Sequence, residues 1–195
     1  MSNLIFERFI PKDKFKKTEI KDKKSFYKSI KMVERSLESK KSVFHTLSKK
    51  FKLNYNSNQL KSYRKYKRII FIGMGGSILG AEAINHFILK KNNKDVHFIN
   101  NLDLDNMNRV KKMNNLQNSL FVVISKSGNT IETLSIIKTL SKKVSFNKKN
   151  TLIITEGKSN QLNIFAKRQG IKIIFHRSYV GGRYSIFSET ALVPC

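Results

Sequence analysis

Between residues 67 and 176 short apolar runs alternate with stretches of helical spacing. Arg68-Ile69-Ile70-Phe71-Ile72-Gly73 is apolar from its second residue onward, as a strand covered on both faces would be. Four further runs read the same way, at 96–100, 119–125, 151–155 and 171–175. Between them, residues 77–89, 130–140 and 159–168 carry apolar positions three and four apart. Such alternation predicts an α/β architecture: a parallel sheet of about five strands with helices on both faces. Ligands of these sheets sit at the carboxyl ends of the strands, so the loops after Ile72, Ile124 and Phe175 matter most.

The first 66 residues have another texture. They contain no glycine and one proline, Pro11. From 25 to 51, Phe26, Ile30, Val33 and Leu37, then Phe44, Leu47 and Phe51, fall at helical intervals. One long or two short amphipathic helices are expected there, with lysines outward. Residues 54–58, Asn-Tyr-Asn-Ser-Asn, read as a linker. The chain thus divides into a helical N-terminal extension, 1–66, and a sheet domain, 67–195.

Charge changes the picture only slightly. The 195 residues hold 39 basic and 13 acidic side chains, a net charge of +26. The excess is shared evenly by the two regions, and it is mostly lysine rather than the arginine forks that read base edges. It is read as a solvated surface that attracts small anions, not as a specific nucleic-acid site. Cys195 is the single cysteine, so no internal disulfide is possible. The longest apolar stretch, 69–81, is short, rich in glycine and ends at Glu82, and the N-terminus lacks a signal-peptide core. The expectation is a soluble cytoplasmic protein without membrane contact.

Three loops carry candidate chemistry. Gly73-Met74-Gly75-Gly76-Ser77-Ile78-Leu79-Gly80 follows a strand and opens a helix, where free N–H groups favour an anion. Ile78 stands where the dinucleotide fingerprint needs glycine, Asn100 and Asn101 stand where it needs an acid, and no Gly-Lys-Ser/Thr occurs. NAD and ATP are therefore disfavoured, while a purely structural turn stays open. Ser125-Lys126-Ser127-Gly128-Asn129-Thr130-Ile131-Glu132-Thr133 places three hydroxyls and a lysine in six residues, the composition of a phosphate cradle. Helix capping by Ser127 or Thr130 is the plainer alternative. Val180-Gly181-Gly182-Arg183-Tyr184-Ser185 brings an arginine near the same rim, or forms an ordinary surface turn. Among the histidines, His86 reads as a surface partner of Glu82, His97 as packed in a strand and His45 as part of the basic region. His176, nearest the rim, alone merits testing.

Together and in this order, the three motifs resemble those of the glucose-6-phosphate isomerase family, from about Lys67 onward. The resemblance implies the sugar isomerase (SIS) fold. It implies an aldose–ketose isomerase interconverting glucose 6-phosphate and fructose 6-phosphate through a cis-enediol or enediolate, without metal or organic cofactor, in a homodimer. By the same resemblance Ser125, Lys126, Ser127 and Thr130 bind the phosphate, and Gly76, Ser77 and Gly182 contact the sugar phosphate. Arg183 stands beside the intermediate, and Glu132 pairs with a ring-opening histidine. The family's base glutamate, that histidine and a late lysine all lie beyond the Gly-Gly-Arg motif. Glu189, the one acidic residue after that motif and too close to it to be the expected base, reads as a helix-surface carboxylate. The isolated chain is expected to bind sugar phosphates weakly and not to isomerise them. A non-catalytic SIS sensor and a bifunctional phosphoglucose/phosphomannose isomerase, whose loop also resembles Ser-Gly-Asn-Thr, remain alternatives.

Overall fold

The computed structural model describes residues 23–88 and 94–193. Five strands form one sheet: β1 (Arg68–Gly73), β2 (Asp95–Ile99), β3 (Ser119–Ile124), β4 (Thr151–Glu156) and β5 (Lys172–His176). Their order is β2-β1-β3-β4-β5, and every pairing is parallel. The helices are α1 (Lys23–Glu38), α2 (Gly76–Ile88), α3 (Leu104–Lys111), α4 (Ile131–Leu140), α5 (Gln161–Gln169) and α6 (Glu189–Leu192).

Alternating side chains of the central strands feed two cores. Ile70 and Ile72 of β1 and Phe121 and Val123 of β3 point to one face, where α3, α4 and α5 bring Val110, Ile136, Leu140, Leu162 and Ala166. Phe71, Val122 and Ile124 point to the other face, against Ile78 of α2 and Tyr63. The expected α/β sheet with helices on both faces is what the chain forms.

The differences from expectation have local causes. α3 has no counterpart among the helices expected from periodicity. Asp103 starts it by accepting from the backbone N–H of Asp105 and Asn106, and Met107 and Val110 bury its inner face. Eight residues with two core positions give too little periodicity to be seen. The Gly-Gly-Arg motif opens a 3-10 turn, Gly182–Phe187, followed by the four-residue α6. The expected helical region at 25–51 is α1 and a 3-10 turn, Val43–Leu47. No residue of α1 is buried, and Phe26 of its apolar stripe is 46% exposed. Residues 1–22 of the extension, and Leu89 of the helix expected over 77–89, lie outside the described residues.

Residues 54–58 are not a slack connection. The Asn54 side chain donates to the Phe175 carbonyl, its backbone N–H donates to Glu189, and the Tyr55 hydroxyl donates to the Leu192 carbonyl. The 3-10 turn that follows, Ser57–Tyr63, buries Tyr63 in the second core, with its hydroxyl on the Thr151 carbonyl. Among the described residues, no helix is long and apolar enough to cross a membrane.

Candidate functional site

Strand order reverses between β1 and β3, the switch point where open sheets of this order take ligands. The register sets Gly73 opposite Ile124, so Met74 and Ser125 leave the sheet side by side. A Cβ on Gly73 would stand 2.6 Å from the Ile124 carbonyl oxygen, which only glycine permits.

The loop after β3 folds on its own hydroxyls. Buried Ser125 accepts from the Gly128 N–H at 3.2 Å and meets the Thr130 hydroxyl at 2.9 Å. Ser127 accepts from the Asn129 N–H at 3.2 Å and lies 3.4 Å from the same Thr130 hydroxyl. Gly128 takes φ +66°, and its missing side chain leaves room for Asn160. Asn129 accepts from the Gln161 N–H, which braces the loop on the start of α5. Thr130 occupies the N-cap of α4 but makes no side-chain cap bond, so capping is not what employs its hydroxyl. Three hydroxyls thus gather at a helix start whose first N–H groups the N-cap side chain leaves uncovered, a setting suited to a dianion.

The first and third loops meet each other. A Cβ on Gly76 would stand 2.5 Å from the Arg183 nitrogen and from the Gly182 carbonyl carbon. Ser185 Oγ donates to the Gly76 carbonyl at 3.2 Å and to the Gly182 carbonyl at 2.6 Å. Ser77 lies beside Gly182 at the start of α2. The Arg183 side chain is exposed at this junction, and Glu132 is exposed in the first turn of α4.

Lys126 takes a different direction from the hydroxyls around it. Its ammonium donates to the Ser178 carbonyl at 2.8 Å and lies 3.4 Å from the Glu156 carboxylate. Glu156 ends β4 with its side chain 9% exposed and also meets Lys158 at 3.1 Å. Glu156 lies outside the three motif loops, at the end of β4, with no motif around it. Its place at a strand's carboxyl end was the available signal.

His176 and Glu189 are the larger surprise. Glu189 is not a helix-surface carboxylate; it is fully buried, with Oε2 3.4 Å from His176 Nδ1 and Oε1 3.7 Å from Arg177 Nε. Burial pushes its carboxyl up. The His176 imidazole, its own backbone N–H and the Asn54 N–H outweigh that and hold it below the usual glutamate value. Of the other histidines, His97 is partly buried on β2, 2.6 Å from Asp95. His45 is buried and bonded to the Leu37 carbonyl, and His86 is exposed.

An apolar groove of about 290 Å³ lies elsewhere, over the sheet face between α2 and the 57–63 turn, lined by Leu60, Tyr63, Phe71, Val122 and Val193 among others. Its lining is mainly apolar, and the Lys94 ammonium at its wall already donates to the Arg64 and Tyr66 carbonyls, so the switch-point loops are the better site.

A five-stranded parallel sheet of this order with helices on both faces, and a hydroxyl-rich loop at its switch point, agrees with the sugar-isomerase class of α/β domains. The phosphoglucose isomerase family model matches residues 27–194, and the chain belongs to that family. Its similarity to curated relatives agrees. It is 32% identical to the glucose-6-phosphate isomerase of Campylobacter jejuni over 158 residues, which are 77% of this chain and 39% of that protein. It is 37% identical to that of Methanocaldococcus jannaschii over 142 residues, which are 71% of this chain and 35% of that protein. A crystal structure of a glucose-6-phosphate isomerase from Chlamydia trachomatis superimposes with a TM-score of 0.60 at 25% identity, covering 69% of this chain and 27% of that one. The chain therefore spans well under half the length of the curated relatives it matches.

Proposed function

We propose that this chain carries the phosphate-binding portion of an isomerase that interconverts glucose 6-phosphate and fructose 6-phosphate. The observation that supports it most is the gathering of Ser125, Ser127 and Thr130 at the uncapped start of α4, beside the strand-order reversal. The phosphate breaks no bond. Its binding energy holds the sugar so that C1 and C2 lie toward the junction of Gly76, Ser77 and Gly182. Arg183 stands at that junction, and its charge would stabilise the enediolate formed when a base takes the C2 proton. Glu132 would serve ring opening with a histidine.

The described carboxylates near the rim do not suit the base. Glu156 meets two lysines and Glu189 is sealed in the interior, while Glu132 is exposed on α4 without a partner to place it at C1 and C2. The base then comes from polypeptide that the relatives carry beyond the matched stretch, and the assembled site belongs to the whole, dimeric protein.

Titration of the 195-residue chain with glucose 6-phosphate and inorganic phosphate tests this reading. Both should bind, and Ser125→Ala and Ser127→Ala should each weaken both. A coupled assay of the same chain should show no isomerisation, with either glucose 6-phosphate or mannose 6-phosphate. Isomerisation that Arg183→Ala abolishes would overturn the assignment of the base elsewhere.

A further inference from the structure

Glu189 and His176 are fully shielded from solvent, and the isomerisation chemistry as laid out uses neither. A buried acid and a buried base are costly unless each meets a partner. Their partners lie along one path through the domain. The Asn54 N–H donates to Glu189 Oε1 at 3.0 Å. Glu189 Oε2 faces His176 Nδ1 at 3.4 Å. His176 Nε2 lies 3.0 Å from the Val180 carbonyl oxygen, which can only accept, so Nε2 carries a proton. A proton on Nδ1 as well makes the Glu189 contact an ion pair. Among the described residues, Arg177 Nε, 3.7 Å from Glu189 Oε1, is the other charged group facing the pair.

The path ends one residue before the Gly181-Gly182-Arg183 turn. Gly181 gives this turn no side-chain cap. Its far end is fixed by Ser185, bonded to the Gly76 and Gly182 carbonyls. Its near end is fixed by the buried Val180, whose carbonyl His176 engages. The geometry points to His176, oriented by Glu189, as a positioning residue. It holds the near end of the turn, so that the exposed guanidinium of Arg183 meets the developing charge of the intermediate at one place. A carboxylate orients a histidine here much as it does in metal and catalytic sites, with the imidazole passing that order to a backbone carbonyl. The inference rests on the phosphate-ester reading of the site for its ligand, though not for its geometry.

Two polar isosteres separate positioning from simple packing. His176→Gln keeps a donor near Nε2, within reach of Val180. His176→Asn keeps one near Nδ1, facing Glu189, and loses Val180. Inorganic phosphate is the probe of the cradle alone. A six-carbon sugar acid 6-phosphate, whose carboxylate mimics the enediolate, is the probe of cradle and Arg183 together. His176→Asn should weaken the sugar acid about tenfold, or one decade in Kd, and leave inorganic phosphate unchanged. Arg183→Ala should show the same selective loss, and the double variant no more than Arg183→Ala alone. His176→Gln should stay within about threefold of the parent, half a decade in Kd. Amide exchange in the free chain should quicken at Val180 and Tyr184 in the Asn variant and not in the Gln variant.

Equal losses for both ligands, no loss, or unchanged exchange at Val180 and Tyr184 in His176→Asn would each overturn the positioning role. A parent chain that binds neither ligand would instead overturn the phosphate reading. The exchange rates at Val180 and Tyr184 would then still decide whether the clamp on the turn exists.

Discussion

The loop after β3 and the turn before α6 reach the same rim by opposite means. The hydroxyls of residues 125–130 each bond within five positions, Asn129 ties the loop to the start of the next helix, α5, and the one left-handed residue is a glycine with φ +66°. The turn at 181–187 has no side-chain cap and takes its shape from distant groups, Gly76 on one side and the Asn54–Glu189–His176 path on the other. A locally built loop supplies a pre-formed anion site at little further cost. A turn held from afar has a position that depends on the whole domain, which suits a group whose placement must match a charge that develops during reaction.

Substitutions can break this contrast. The largest effect is expected from Glu189→Ala, which leaves His176 and Arg177 facing an emptied, sealed space. Breaking such a buried pair typically costs about 3–5 kcal/mol, to be measured by denaturant unfolding. Gly76→Ala comes next. Its methyl would press the Arg183 backbone, and overpacking of this kind costs about 1–3 kcal/mol while displacing the turn. The expected signature is loss of sugar-acid phosphate binding with inorganic phosphate binding kept.

Acid sharpens the same contrast. Because Glu189 is held below its ordinary value in the folded chain, its contribution is complete above the ordinary carboxylate range and fades as pH falls through the folded value. Asp95, held low by the Arg68 guanidinium against modest burial and helped by His97, adds a background of the same sign. Unfolding free energies from pH 7 downward should therefore fall more steeply in the parent than in Glu189→Gln. Equal slopes would remove Glu189 from the account.

The smallest effect concerns Lys126. Glu156→Gln removes the carboxylate that draws its ammonium away from the hydroxyls, and charge-assisted bonds to a phosphate are then easier to make. Inorganic phosphate should bind a few-fold tighter, roughly 0.5–1 kcal/mol by analogy with partly exposed ion pairs. The gain should vanish in Lys126→Met.

Legibility in the sequence followed the same division. β1 and β3 are continuous apolar runs because they are covered on both faces, and nothing about them depends on remote partners. The hydroxyl cluster at Ser125, Ser127 and Thr130 was visible because its members are neighbours. The burial of Glu189 was not, because a lone acid in a short polar stretch looks the same whether it faces water or a histidine thirteen residues earlier. Nor was the docking of residues 54–58, whose asparagines match any linker until their acceptors at Phe175 and Glu189 are in place. The direction of Lys126 depended on Glu156 and Ser178, on two other segments. The family resemblance supplied roles for Arg183 and Glu132 that spacing alone leaves open.

The bond from Asn54 to Glu189 spans 135 positions of sequence. Contacts that close so long a stretch cost chain entropy before they return any stability, so they form late in folding. The anion loop can take shape as soon as β3, β4 and α5 assemble. The arginine turn must wait until an early segment of the chain has come back to meet a late one. In refolding, a phosphate-binding state should therefore appear before one that can tell a sugar acid from plain phosphate, and the interval between them reports how long the two distant segments take to join.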